Sequence, residues 1–130
     1  MSGYTVKRID EMEAVYLGSF KRARAELGVE SFGMAIIDIP PNYEHYPEHD
    51  HEHDGQEEVF LALRGGGEIE LDGERFPLDT AHVARASAGT KRKLWPGPDG
   101  VRVLILGGVP GKVYEAPDLS KLGEPDPMAK

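Results

Sequence analysis

The chain has no cysteine in its 130 residues. That excludes disulfides, thiolate metal sites and cysteine nucleophiles, and by itself names no compartment. Long apolar runs are also missing: the first fifteen residues contain no apolar signal core, and no stretch approaches membrane length. A cytoplasmic protein with no membrane partner is expected. Basic residues are outnumbered, 15 Lys and Arg against 23 Asp and Glu, for a formal net charge of −8. Such a surface repels phosphate backbones, so nucleic acid is not expected as a partner. No Lys or Arg occurs between Arg24 and Arg64, so nothing local in sequence offsets the acids there. No internal repeat, coiled coil or linker breaks the chain, and its length suits one domain over 1–130. Residues 1–30 read as an N-terminal arm and 111–130 as a C-terminal tail.

Glycine and proline are plentiful, 16 and 10, and are spread through the chain. They punctuate short apolar or alternating segments: Phe32–Ile39, Val59–Leu63, Glu68–Leu71, Glu74–Leu78, His82–Ala86, Lys91–Trp95 and Val101–Leu106. Asp54-Gly55 and Asp72-Gly73 have the composition of two-residue hairpin turns. Pro96–Gly100 reads as a loop, Tyr4–Ile9 as a short edge strand, and a helical turn falls between Asp10 and Gly28. Many short strands joined by turns predict an all-β antiparallel sandwich or jelly roll. Several strands are apolar on both faces, more than one interior absorbs, which predicts a homodimer.

Four of the five histidines, His45, His49, His51 and His53, lie within nine residues. Glu44, Glu48, Asp50, Glu52, Asp54, Glu57 and Glu58 surround them. Imidazole with carboxylate suits a borderline divalent metal such as Zn, Ni, Mn or Fe. On an extended strand, His49, His51 and His53 project from one face in a row of ~13 Å, so one ion takes two neighbours from it. A hairpin at Asp54-Gly55 pairs His51 with Glu58 and places Glu58 on the histidine face. His51 and Glu58 are therefore the firm pair, with either His49 or His53 as the third ligand.

These residues resemble the first motif of the cupins, G-x5-H-x-H-x(3–4)-E-x6-G. His51, His53, Glu58 and Gly65 fall on its last four fixed positions, and His45 replaces the leading Gly. The resemblance implies a small jelly-roll barrel with a metal held by two His, one Glu and a further His from a second motif. In that second motif the stretch AHVARASAGTKRKLWP keeps only Gly89. Ala81, Ser87 and Pro96 replace its Gly, Pro and Asn, and Arg92 stands at the fourth ligand's position.

Arg92 divides two readings. A permanent cation repels a metal, whereas an inward Arg paired with Glu58 makes a metal-free pocket for a small anionic or sugar-like ligand. In the first reading the ion serves a small polar molecule; in the second, Arg92, Phe60 and Tyr46 contact the ligand. Tyr43 and Trp95 are further candidates for lining a pocket, and His82 for a third metal nitrogen. No extra acid or base is assignable by spacing, so enzyme and binding module stand side by side. No motif calls for an organic cofactor, and Gly65-Gly66-Gly67, which joins two expected strands and opens no helix, is not a phosphate loop.

Overall fold

The computed structural model describes residues 3–128; residues 1, 2, 129 and 130, the ends of the expected arm and tail, lie outside the described residues. Seven strands, β1 (Ala14–Val15), β2 (Phe20–Lys21), β3 (Gly33–Ile39), β4 (Glu57–Leu71), β5 (Glu74–Leu78), β6 (Val83–Ala86) and β7 (Arg92–Gly108), form one antiparallel sheet. Its order is β1-β2-β3-β7-β4-β5, with β6 also on β4. This is the expected all-β antiparallel jelly-roll architecture, with its hydrogen-bonded path left open at β1 and β5 rather than closed into a ring.

Alternation along the strands selects the core. Ile37 and Ile39 on β3, Phe60, Ala62 and Ile69 on β4, and Leu94, Val101, Val103 and Ile105 on β7 point to one side and are buried. A smaller cluster of Met12, Ala23 and Ile36 packs the N-terminal segment against the outer face of β3. The one α-helix, α1 (Ala23–Leu27), ends at Gly28 in the left-handed conformation. Its Ala23 is the residue that docks on the sheet. A 3₁₀ turn precedes it at Ile9–Glu11 and another follows at Asp118–Ser120. The expected edge strand at Tyr4–Ile9 is not formed: residues 4–8 run without strand pairing.

Two expected breaks are bends inside strands instead. Gly65-Gly66-Gly67 lies within β4, and Pro96–Gly100 within β7, where the register of the pair shifts between Gly65 and Gly67. The two backbones approach too closely there for side chains: a Cβ on Gly67 would lie 2.0 Å from the Trp95 carbonyl oxygen. Glycine here permits a bend with continued pairing, not a break. The Asp72-Gly73 turn between β4 and β5 is as expected, with both residues at positive φ.

Candidate functional site

Glu58 begins the inward row of β4, next to Phe60 two residues on. It is in register with Gly107 on one neighbouring strand and Ala86 on the other. The histidine segment is not the outer arm of a hairpin. Residues 51–55 close a turn in which the Gly55 N–H donates to the His51 carbonyl at 2.8 Å. The Asp54 carboxylate accepts the Gln56 N–H at 3.0 Å, an Asx-type contact that turns the chain before β4 starts. The segment instead leans on the entrance to β7: His49 and Arg92 exchange backbone hydrogen bonds of 3.0 and 2.8 Å, and the His51 N–H donates to the Ala88 carbonyl at 2.8 Å.

That arrangement still brings His51 to Glu58, with Nε2 at 3.3 Å from Oε1. Donor atoms of His49, His51 and Glu58 all lie within 4.8 Å of one another. His53 points away, its side chain 74% exposed and 3.4 Å from Asp54. A second, more exposed group of His51, His53 and Asp54 also meets within that span. In each half-buried histidine Nδ1 faces an oxygen acceptor: His51 faces Asp54 at 3.1 Å, and His49 faces the Pro47 carbonyl at 3.1 Å. Both rings therefore donate from Nδ1, and His51 Nε2 faces Glu58. The hydrogen bond that His51 donates to Glu58, aided by Asp54 and opposed by burial, holds the His51 pKa above its ordinary value. Burial pushes Asp54 upward, but the Gln56 N–H and His51 outweigh it and hold the carboxyl low.

The cluster opens into a cavity of about 1130 Å³. Its floor follows from the register. The inward row through Glu58 is Gly33 on β3, Gly107 on β7, Glu58 and Ala86 on β6. Three of those four positions carry little or no side chain, so the interior stays unfilled at this end. Tyr46 lines the cavity, and burial together with the Glu58 charge raises its hydroxyl pKa well above the ordinary tyrosine value. Tyr43 and His45 also line it. Phe60 does not. Expected in the pocket, it is 1% exposed and packed in the core cluster with Ala62, Leu94 and Val103. Trp95 borders a separate cleft of about 250 Å³, its ring faced by Arg75 and Lys93, each 4.1 Å from the centroid. His82 is paired with Asp79 on the surface at 2.7 Å and joins neither histidine group.

No protein-family model matches the chain, and no curated protein matches its sequence. Solved structures do match. A cupin protein from Bacteroides fragilis aligns over 90% of this chain and 93% of its own, with 20% identity and a TM-score of 0.69. A protein from Photorhabdus luminescens aligns over 82% and 88%, with 16% identity and a TM-score of 0.64. The chain has the cupin fold. An RmlC-like cupin from Desulfovibrio desulfuricans covers 61% of this chain and 73% of its own, at 24% identity and a TM-score of 0.54.

Within this cupin fold, Arg92 is the departure that matters. It points inward and is fully buried, with Nε 3.8 Å from Glu58. Nη2 donates to the Ala86 and Ser87 carbonyls at 3.3 and 3.0 Å, while Nε and Nη1 have no hydrogen-bond partner. Arg92 does not line the cavity. It lies behind Glu58 as a fixed counter-charge and leaves the cavity side of the carboxylate open. The donors present fit a metal: two imidazoles and a carboxylate suit Zn, Ni, Mn or Fe better than Mg or Ca. Ligands ~2.0–2.2 Å from one ion lie roughly 3–4 Å apart, close to the present span of up to 4.8 Å. Sequence reasoning missed Arg24 and Tyr114 as cavity residues, because the first sits in a short helix and the second in a stretch without periodicity.

Proposed function

We propose that the protein binds one divalent metal ion through His49, His51 and Glu58, and a small polar molecule in the adjoining cavity. The observation that carries this reading is the meeting of His49, His51 and Glu58 donor atoms within 4.8 Å, with Nδ1 of both histidines tethered to oxygen acceptors so that Nε2 is the nitrogen an ion would take. Asp54 behind His51 is the outer-shell carboxylate that fixes the ring and raises its basicity. A bound ion would act as a Lewis acid and orient ligand oxygens. Around it the chain's own groups hold Glu58 (Arg92), fix His51 (Asp54) and present a hydroxyl to the ligand (Tyr46). Two His and one carboxylate leave open coordination positions, the arrangement that accepts a ligand. We place the protein in the cytoplasm as a homodimer, its outer apolar residues Leu61, Leu63 and Val83 meeting a second copy.

Arg92 supports a second reading. Its inward guanidinium already balances Glu58, so the site reaches charge neutrality without an ion, as a metal-free binding barrel would. Calorimetric titration with Zn, Ni, Mn and Fe(II) separates the two. On the metal reading the wild type binds one equivalent, Glu58→Gln loses about 10-fold or more, and Arg92→His gains affinity. If only Arg92→His binds, the natural protein is the metal-free barrel.

A further inference from the structure

Seven of the eight arginines in the chain sit in ion pairs with carboxylates: Arg8, Arg22, Arg64, Arg75, Arg85, Arg92 and Arg102. Arg24 alone, among the described residues, has none. It leaves α1, is half-buried and lines the same cavity as the histidine cluster. Its Nη1 donates to the Val29 carbonyl at 2.9 Å, and its buried Nε has no partner. In a chain of net charge −8 a half-buried, unpaired cation facing a cavity is out of keeping with its surroundings. Burial of such a charge is costly unless something compensates it.

Tyr114 stands beside it. The C-terminal segment returns across the mouth of the cavity and lays the Tyr114 ring on Gly33, where a Cβ would meet the hydroxyl oxygen at 2.9 Å. Gly33 is in register with Gly107, and Gly107 with Glu58. Two strand spacings, about 10 Å, therefore separate the backbone under Tyr114 from the backbone that carries Glu58. Between them the floor is glycine, and at Gly107 a Cβ would meet Gln56 Oε1 at 2.8 Å. The hydroxyl is half-buried. Burial pushes its pKa up, Arg24 pulls it down, and Asp54 and Glu58 add to the rise, consistent with its place between the cation and the acidic cluster. The cavity thus has two poles, a His/Glu cluster at one end and Arg24 with Tyr114 at the other, joined by a Gly33–Gly107 strip on which the Tyr114 and Gln56 side chains lie.

We propose that Arg24 and Tyr114 form an anion-binding subsite, so that the molecule held here carries a carboxylate on Arg24 while its other end reaches the His49–His51–Glu58 cluster across the Gly33–Gly107 floor. Arg24 Nη2, the guanidinium nitrogen left over by the Val29 contact of Nη1 and the burial of Nε, donates to the carboxylate, and the tyrosine hydroxyl donates a second hydrogen bond. A neutral ligand would leave Arg24 uncompensated. The ligand class is therefore a small acid with a polar far end, and the assignment of that far end rests on the metal reading above.

The test uses adipate as probe and adipamide as its uncharged match, titrated calorimetrically into the full chain with and without one equivalent of Ni. Adipate should bind and adipamide should not compete. Arg24→Gln should weaken adipate at least ~10-fold, the range for losing a charge-assisted contact. Arg24→Lys should keep part of that affinity, and Tyr114→Phe, which retains the ring on Gly33, should lose a few-fold. Gly33→Ala, whose methyl displaces the Tyr114 hydroxyl, should weaken adipate without altering any charge. Ni affinity should stay within ~2-fold in all of these variants, since none removes a metal donor. Adipate that binds Arg24→Gln as tightly as wild type, adipamide that binds equally well, or a wild type that binds neither would overturn the subsite. Arg24-dependent adipate binding in a protein that takes no Ni would keep the subsite and overturn the metal reading.

Discussion

Arg92 is fully buried, and Glu58 is its one ion-pair partner among the described residues, 3.8 Å away. At an effective dielectric near 20, that separation corresponds to about 4 kcal/mol of attraction. Two of the guanidinium nitrogens have no hydrogen bond, so few other contacts compensate the charge. Glu58→Gln keeps the shape and removes the anion, leaving a buried cation unpaired. Breaking such a pair costs about 3–5 kcal/mol. The retained carbonyl contacts from Ala86 and Ser87 place the expected loss at the lower end, about 3 kcal/mol. In a chain of this size that corresponds to a fall in Tm of roughly 10 °C. Arg92→Met should cost less, because Glu58 borders the cavity and keeps His51 beside it. Urea unfolding of wild type, both single variants and the double variant, all metal-free, gives the coupling directly. A coupling of about 2 kcal/mol or more is expected. Glu58→Gln within 0.5 kcal/mol of wild type would refute the view that Arg92 is held by this carboxylate.

Gly67→Ala should destabilise strongly, by several kcal/mol or to the point of insolubility, since its Cβ would meet backbone at 2.0 Å, whereas Gly108→Ala, with nothing within 4 Å, should be near neutral; chemical denaturation of both variants checks this. Asp38 is pushed up by burial, but the hydrogen bonds and charges of Arg102 and Lys21 together outweigh that and hold it below the ordinary aspartate value. Its folded pKa is thus depressed: the contribution is present above about pH 4 and is lost as pH falls further through the folded value. Asp38→Asn should flatten the decline of stability below about pH 4 in urea titrations. Light scattering at micromolar concentration should give twice the chain mass of 14.3 kDa, and Val83→Glu on the outer face should shift it toward 14.3 kDa.

The segments whose local pattern suffices were legible in the sequence. Val83–Ala86 and Glu74–Leu78 alternate or stop at turn residues, Asp72-Gly73 carries its own turn chemistry, and Gly28 ends α1 in the conformation glycine favours. The acidic histidine segment located the site, and the first-motif resemblance located the fold. What the sequence hid was set by contacts distant along the chain. Asp54-Gly55 has hairpin composition, yet the backbone pairing of His49 with Arg92 and of His51 with Ala88 draws the segment away from β4. That docking brings His49 together with His51 and Glu58, where motif spacing points to His53. Gly65–Gly67 and Pro96–Gly100 read as breaks because each is judged alone, whereas their mutual close approach lets β4 and β7 run on through bends. Tyr114 sits in a segment without periodicity, and only its return onto Gly33 places it at the cavity.

The central claim is the identity of the three ligands, and anomalous diffraction from crystals grown with zinc tests it most directly. Both candidate groups share His51, so the position of the ion discriminates between them. One peak per chain is expected at ~2.0–2.2 Å from His49, His51 and Glu58. His53→Ala crystals should show the same peak. An ion between His51, His53 and Asp54, or no ordered ion at all, would contradict the site.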